Sequence, residues 1–453
     1  MWVGLCPQPH TASMLNGDRS STKRCSVEFE RYTPQMKLGG HHTAAGIARI
    51  LLAGRRAFGW GSFLLVVGGG VAVGAEHAVA TAQAPGDALP GLTQAERARF
   101  ERGRAAFETA RDISTGLGPL FNDTACNRCH NRFGVGGGGI QRVTLVGRVE
   151  GDEFDPLIAR GGPGLAANSV TVELAEARRL IPQCKLSRDG EPIPSEANLI
   201  VPRRTTALFG LGLVDATPDA TFLEIARQQA AHIRGRAALV HDGARAVGKF
   251  GWKAKAASVR QFAGSALLNE MGVTNPEYPD EQAPLADPAL LAGCDVTPGL
   301  EDDGSGLSAL TDFVQMLAPI APLEQSPAAR QGDALFTRLG CDGCHLRKLT
   351  SGESPIAALS FRTYAPFSDF LLHDMGALGD RIGGEGEAAP REMRTAPLWG
   401  LRLAGESYLH DGRARSIAEA VERHDGQGRR SRDDYVKLSP QKKAALLAFL
   451  QTL

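Results

Sequence analysis

Apolar positions recur at helical spacing at both ends of the segment that follows the first 84 residues. Thr93 and Glu96 open the stretch LTQAERARFERGRAAFETA, and this pair forms a capping box, so we predict that a helix starts there. Ser439-Pro440 is typical of a second helix start near the C-terminus. The apolar residues that follow share one face at spacings i, i+3, i+4 and i+7: Leu446, Phe449, Leu450 and Leu453. This face predicts a packing partner.

Two helical segments repeat a Gly followed four residues later by a Phe. Gly103 and Phe107 precede the stretch TACNRCHN, and Gly332 and Phe336 precede LGCDGCHL. Both stretches carry the pattern Cys-x-x-Cys-His. The chain therefore repeats a unit in which a helix is followed by this pattern.

The segment 318–330 contains three prolines and separates the two units. We therefore predict an N-terminal domain over residues 85–320 and a C-terminal domain over residues 321–453. Residues 135–240 are rich in Gly and Arg with short β-branched runs, which is typical of an irregular insert with a few short strands. The predicted fold is mainly α.

Residues 1–84 predict a leader. Arg55 and Arg56 precede an apolar run that begins at Phe63, and the small residues of AVATAQA suit a signal peptidase. The run is shorter than the roughly 20 residues of a membrane span. We therefore expect cleavage, a periplasmic protein and no stable membrane span, in preference to a retained N-terminal anchor. Met36 is an alternative start of the chain.

The 453 residues include 50 basic and 50 acidic side chains, so the overall charge indicates no nucleic-acid partner. Four of the eight cysteines lie in the two motifs, which argues against a disulfide-dense scaffold. Cys6 and Cys25 fall in the leader. Cys184 and Cys294 are left as either a disulfide or two buried thiols.

Covalent haem attachment accounts for all five positions of each motif. A structural zinc site needs a second ligand pair nearby, and a thioredoxin-like site needs an α/β unit but no adjacent histidine. Attachment of c-type haem uses two cysteines as thioethers and the next histidine as an iron ligand. We therefore predict two c-type haems in two cytochrome c-like domains. The attachment residues are Cys126, Cys129, Cys341 and Cys344, with His130 and His345 as proximal ligands.

The second ligand of each iron separates catalysis from simple electron transfer. His424 shares the apolar stripe of the helix SIAEAVERH and is a candidate ligand of the second haem; the alternative is a hydrogen-bonded histidine at a helix end. After His130 the next histidine is His232, so the first iron is expected to lack a strong distal ligand. His232, His241 or a methionine are the alternatives. The methionines, for which core packing is the default, are Met271, Met375 and Met393.

Five stretches occur in the order expected of one family: GLGPLFNDTACNRCH, FGWKAKAASVRQFAGSALLNEMGVTNPEYP, DFLLHDMG, REMRTAPLWGL and YLHDGRARSIAEAVERHDG. Together they resemble the bacterial di-haem oxidoreductases, a family related to the di-haem cytochrome c peroxidases. The resemblance covers about residues 90–453. It implies that electrons pass from the C-terminal haem to an N-terminal haem that binds hydrogen peroxide. The implied partner is a small redox donor protein or an oxidised protein.

The resemblance also implies roles for individual residues. His424 matches the distal ligand of the C-terminal haem, Trp252 matches a tryptophan between the haems, and Gln261 and Glu270 match residues of the peroxide pocket. Both spacings are one residue shorter than in the related peroxidases, and KAK stands where they have DGR. Those peroxidases also hold calcium beside the HDG turn. The Thr and Pro usual there are missing from AGESYLHDG, which argues against calcium.

Arg413 and Arg415 are candidates for pairing with haem propionates, because guanidinium groups match carboxylate geometry; solvated surface arginines are the alternative. The function that we predict is that of a peroxidase-like enzyme in which Glu270 transfers protons. One alternative is a non-catalytic electron-transfer protein with both irons six-coordinate. Another is a zinc or thiol module without haem absorbance.

Overall fold

A computed structural model describes residues 83–151, 153–170, 181–186, 190–295, 297 and 299–453. The predicted leader lies outside these residues, apart from its last two positions. Their α-helices, in chain order, are α1 Gln94–Glu108, α2 Cys126–Cys129, α3 Leu211–Asp215, α4 Asp219–Gln228, α5 Val259–Met271, α6 Pro288–Cys294, α7 Ser305–Met316, α8 Pro327–Arg338, α9 Ile417–Glu422, α10 Arg429–Val436 and α11 Pro440–Leu450.

The strands are short and all of their pairings are antiparallel. They are β1 Leu120–Phe121, β2 Arg142–Glu150, β3 Glu153–Asp155, β4 Gly164–Leu165, β5 Asn168–Ser169, β6 Leu199–Arg204, β7 Ala238–Asp242, β8 Ala244–Gly248, β9 Leu349–Thr350, β10 Thr363–Tyr364, β11 Leu372–Asp374 and β12 Glu392–Arg394. The longest strand, β2, pairs with β3, β4 and β6. The remaining sheets are hairpins or two-stranded ladders.

The predicted helix ends are confirmed. Thr93 caps α1, and its side chain and that of Glu96 each accept a hydrogen bond from the other residue's backbone N–H. Ser439 caps α11 in the same way through the backbone N–H of Lys442, with Pro440 in the first turn. The apolar face of α11 is buried against α8, which is the partner that its pattern predicted.

Two helix pairs pack in the same manner, α1 against α7 and α8 against α11. A Cβ at Gly103 would lie 2.8 Å from the Cβ of Phe313, and a Cβ at Gly332 would lie 2.8 Å from the Cβ of Phe449. The glycines therefore allow the backbones to approach closely. The Phe that follows each glycine by four residues also packs against this partner phenylalanine. The ring centres of Phe107 and Phe313 are 4.8 Å apart, and those of Phe336 and Phe449 are 5.4 Å apart.

The apolar interior forms two main clusters. The larger extends from Ala88 to Trp399 and surrounds α1, α5 and α7; the smaller extends from Ala329 to Leu453 and surrounds α8 and α11. Residues 319–326, between α7 and α8, have no regular structure. The division into domains at residue 320 stays a prediction.

The prediction of a mainly α fold requires correction. Helices account for 37% of the described residues and strands for 15%, so the chain has a mixed fold. Most of the additional strand lies in the predicted insert, where β2 and β6 pair over six residues. These two strands lie far apart in the sequence, and local periodicity does not reveal such a pairing.

A disulfide joins Cys184 to Cys294, so the first of the two alternatives for these cysteines is correct. It ties the segment 181–186 to the end of α6. Part of the run SVTVEL, which suggested a strand, lies outside the described residues. Within the described part of the chain, no helix is long and apolar enough to cross a membrane.

The close helix crossings predict the effect of adding a methyl group. In an open helix, Gly→Ala stabilises by roughly 0.5–1 kcal/mol, but Gly103→Ala and Gly332→Ala would each push a Cβ into the partner backbone. We expect each to destabilise the protein by about 1–3 kcal/mol in denaturant unfolding. Gly293→Ala in α6 is the matched control, since its nearest neighbour would be 3.4 Å away. Equal stability of all three variants would contradict the crossing.

Candidate functional site

Both Cys-x-x-Cys-His motifs line one interior cavity of about 1440 Å³. This volume exceeds the roughly 300–1,000 Å³ of an ordinary small-molecule site. All six motif side chains face it: Cys126, Cys129, His130, Cys341, Cys344 and His345. Two motifs more than 200 residues apart in the chain therefore line the same cavity.

The first imidazole is held by the backbone that follows it. Nδ1 of His130 lies 3.2 Å from the carbonyl oxygen of Gly137 and must donate, because a carbonyl only accepts. This leaves Nε2 as the unprotonated nitrogen. The ring of Phe107 from α1 packs at 6.0 Å, and burial lowers the pKa of His130 to about 4. His130 is therefore a neutral imidazole, the form that binds metals.

The second imidazole repeats this arrangement. Nδ1 of His345 donates to the carbonyl of Phe367 at 3.0 Å, and Phe336 from α8 packs at 6.4 Å. Burial, with a contribution from the nearby ring of His424, lowers the pKa of His345 to about 4. The Gly-x-x-x-Phe repeat thus places one aromatic ring beside each histidine.

His424 lies across the cavity from His345. Its Nδ1 donates to the carbonyl of Ala420 at 2.8 Å, and the two imidazole centres are 6.4 Å apart. Two imidazoles on one metal, with metal–nitrogen distances of about 2.0–2.1 Å, have ring centres roughly 6–6.5 Å apart. The spacing of His345 and His424 therefore suits two imidazole ligands of one metal ion.

The motif thiols do not resemble a thiolate metal or redox site. Burial raises the pKa of Cys126 to about 11 and that of Cys341 to about 12, so both are protonated at neutral pH. Among the described residues, Cys126, Cys129 and Cys341 belong to no cluster of three or more metal-ligating side chains, whereas Cys344 clusters with Asp369 and His373. The motif cysteines also form no disulfide with each other. This chemistry fits thioether attachment better than a zinc or thiol module.

Glu270, near the end of α5, lines the same cavity. The side-chain amide of Asn122 donates to its carboxylate at 2.7 Å, and the backbone N–H of Asn122 donates to the Glu270 carbonyl at 2.8 Å. Burial raises the pKa of Glu270, while the Asn122 hydrogen bond and the charge of Lys255 oppose this rise. A carboxylate in such surroundings can take up and release a proton at the cavity wall.

Trp252 also lines the cavity, where the N-terminal half meets the loop before α9. Its indole N–H donates to the carbonyl of Arg204 at 3.4 Å, and its ring packs edge-on against His410 at 6.1 Å. Its own carbonyl accepts from the backbone N–H of Arg394 at 2.9 Å. Trp252 therefore contacts segments from both halves of the chain.

Several residues expected at the site lie elsewhere. The side-chain oxygen of Gln261 accepts from the backbone N–H of Ala257, just before α5, and its side-chain nitrogen donates to the carbonyl oxygen of His241 in β7; Gln261 does not line the cavity. Arg413 is exposed and paired with Asp411, and Arg415 is exposed; neither lines the cavity.

Among the alternative distal ligands, His232 and His241 are exposed and do not line the cavity. The three methionines do line it. Met375 lies beside the second site, because it and His424 both approach Gly428.

Sequence reasoning missed Asn122 and Lys255. Asn122 stands in the quoted stretch GLGPLFNDTACNRCH, four residues before the first motif cysteine, and Lys255 is the second lysine of KAK. A polar residue in an apolar turn is the signal that marks Asn122. Its partner, however, is 148 residues away, so sequence spacing does not reveal the contact.

The donor set and the cavity fit two haems, one at each motif, with two neutral histidines and four cysteines that form no disulfide. The family model described as "Di-haem oxidoreductase, putative peroxidase" matches residues 195–453. The chain belongs to this di-haem oxidoreductase family. The matched region contains Trp252, Glu270, the second motif and His424, while the first motif precedes it. Membership implies haem cofactors and a peroxidase-like oxidoreductase.

Similar solved structures include hydrazine synthase of Kuenenia stuttgartiensis, at 13% identity and a TM-score of 0.34 over 79% of this chain and 87% of that one. A MauG-like protein associated with microbial copper homeostasis is 14% identical, with a TM-score of 0.37 over 83% of this chain and 95% of that one. The diheme peroxidase BthA of Burkholderia thailandensis is 15% identical, with a TM-score of 0.36 over 79% of this chain and 86% of that one. No curated protein matches the chain. The family assignment therefore rests on the family match.

The environment of Glu270 predicts a pH-dependent stability. Its pKa in the folded protein is raised above the ordinary value of about 4.5, so the folded state binds the proton more tightly than the unfolded state. The stability from this group is present at low pH and is lost as pH rises. Relative to the wild type, Glu270→Gln should therefore gain stability from pH 4 to pH 8 in denaturant unfolding. A constant difference across this range would contradict a raised pKa.

Proposed function

We propose that the chain is an exported di-haem c-type oxidoreductase that uses hydrogen peroxide. The observation that carries this proposal is a difference between the two motifs: the imidazole of His345 faces that of His424 at 6.4 Å, whereas burial and the nearby carboxylate of Glu270 raise the pKa values of Cys126 and Cys129 in the first motif. Two imidazoles suit electron transfer. A carboxylate suits proton transfer during catalysis.

At the first site, Cys126 and Cys129 would hold the haem and His130 would be its ligand. The bound haem supplies a redox-active iron. With the haem bound, Glu270 would take up one proton of the peroxide and return it to the oxygen that leaves as water. Asn122 fixes one carboxylate oxygen during this transfer.

At the second site, Cys341 and Cys344 would hold the haem, with His345 and His424 as its two ligands. Both ligands have their Nδ1 nitrogen committed to a backbone carbonyl, which fixes the orientation of each ring. Rigid ligation on both sides favours fast electron transfer without substrate binding. Trp252 lies in the wall that the two halves share and would carry electrons from the second site to the first.

The proposed location is the periplasm, and the proposed electron donor is a small redox protein or a protein that becomes oxidised. The Cys184–Cys294 disulfide supports an oxidising compartment. Cleavage of the apolar leader would release the protein from the membrane.

The proposal predicts the spin states of the ferric protein. We expect a low-temperature electron paramagnetic resonance spectrum with one high-spin and one low-spin signal. His424→Ala should abolish the low-spin signal, because it removes one ligand, whereas the exposed His232→Ala should leave the spectrum unchanged. Two low-spin signals in the wild type, neither of which becomes high-spin when one haem is reduced, would instead indicate an electron-transfer protein.

The proposal also predicts a loss of turnover on removal of the carboxylate. Glu270→Gln keeps the side-chain size and a hydrogen-bond acceptor for Asn122, but it cannot transfer the proton. Peroxide turnover should fall by about 10²–10⁴-fold, the usual contribution of a positioned acid or base. Glu281→Gln is the control, because Glu281 is another carboxylate with a raised pKa, of about 8, and lies outside the cavity wall. Equal turnover in the two variants would rule out the role of Glu270.

A further inference from the structure

We propose that Arg132, Arg142 and Arg204 form a carboxylate site in the cavity wall, and that this site binds the propionates of the haem attached at Cys126 and Cys129. The inference rests on the haem attachment within the proposed function. It does not depend on peroxide being the substrate. All three arginines line the cavity.

The sheet places two of these cations opposite each other. Arg142 begins β2 and Arg204 ends β6, and the two residues are directly paired in the antiparallel register. Like charges directly opposite in such a ladder destabilise it. The arrangement is therefore costly unless an anion lies between or beside the two guanidinium groups.

The third cation comes from the loop after the first motif. Arg132 stands two residues after His130 and packs against Gly405, while Arg142 packs against Gly412 in the same segment. Arg204 donates to the carbonyl oxygen of Ser407 between these glycines. The three side chains thus converge on one loop of the C-terminal half.

This cluster has no acidic partner among the residues that the structure describes. Burial lowers the pKa of Arg204, and the charges of Arg132 and Arg142 lower it further, while Tyr408 acts in the opposite direction. The Nε atom of Arg204 is buried without a hydrogen-bond partner. A buried cation needs a paired anion, so Arg204, whose Nε is buried, calls for an anion from outside the described protein groups, and the half-buried Arg132 and the exposed Arg142 lie beside it.

The neighbouring residue Arg203 is a buried cation whose charge is balanced by acidic side chains. Arg203, next to Arg204 in β6, pairs with Asp380 at 2.6 Å and with Glu385. Lys253 pairs with the same aspartate at 3.0 Å. Acidic side chains are therefore supplied to these two buried cations, whereas no acidic side chain of the described residues pairs with Arg132, Arg142 or Arg204.

The propionates are the carboxylates that the first haem would bring to this wall. Arg132 follows the proximal histidine so closely in sequence that a haem held by His130 lies within the reach of the cluster. Two carboxylates match three guanidinium groups in geometry and in charge sign. A small carboxylate from solution is the other possible source of the same chemistry.

The test measures the reduction potential of the haem-loaded protein by spectroelectrochemistry. Arg142→Gln removes one exposed cation and a like-charge contact, so the fold should persist. Loss of a positive charge beside a propionate stabilises the oxidised iron. The potential of one haem should therefore fall, by about 59 mV for a tenfold change in the one-electron equilibrium. Arg142→Lys should recover part of the fall, and Arg415→Gln is the surface-charge control.

Four outcomes separate the possibilities. A fall in Arg142→Gln alone, with a wild-type potential that is insensitive to added acetate, supports the propionate site. A wild-type potential that changes with acetate, and does so less in Arg142→Gln, would overturn the propionates as occupant in favour of an external carboxylate. Equal potentials in Arg142→Gln and Arg415→Gln would overturn the site itself. A wild type without haem absorbance would instead refute the proposed function.

Discussion

The close approach of two helices at a glycine is the constraint on which the rest of the structure depends. With no side chain at Gly103 or Gly332, the partner helix comes close enough for the next aromatic residue, Phe107 or Phe336, to pack against it. The same ring then lies beside the motif histidine. In each unit, the spacing of four residues between glycine and phenylalanine thus links the packing of two helices to the position of the motif histidine in the cavity wall.

The parts of the structure that were predicted from sequence are those encoded locally. The capping boxes, the Gly-x-x-x-Phe repeat and the Cys-x-x-Cys-His motifs each lie within a few residues, so their geometry follows from helix periodicity and backbone hydrogen bonding. His424 was found for the same reason, because its position on the apolar stripe of α9 places it toward the interior. The structure puts it 6.4 Å from His345 in ring-centre distance.

The surroundings of the other predicted residues depend on contacts between distant segments. Gln261 lies at the start of α5 with both side-chain amide atoms bonded to backbone, while Glu270, near the other end of the helix, reaches the cavity. Arg413 and Arg415 were candidates for propionate pairing because guanidinium groups match carboxylate geometry. Arg413 instead pairs with Asp411. Arg142 and Arg204, which line the cavity, come from the insert sheet, whose pairing local patterns do not reveal.

The charge distribution explains why a repeated unit need not have a repeated function. The two motif histidines have the same tautomer, the same kind of carbonyl partner and the same lowered pKa of about 4. The difference lies in what the other elements bring to the cavity: the imidazole of His424, just after α9, near the second motif, and the carboxylate of Glu270 from α5 near the first. An imidazole can complete the coordination of a metal without moving protons, whereas a carboxylate of raised pKa can exchange them. In the proposed function, the difference between the two motifs therefore follows from the residues opposite them and not from the motif itself.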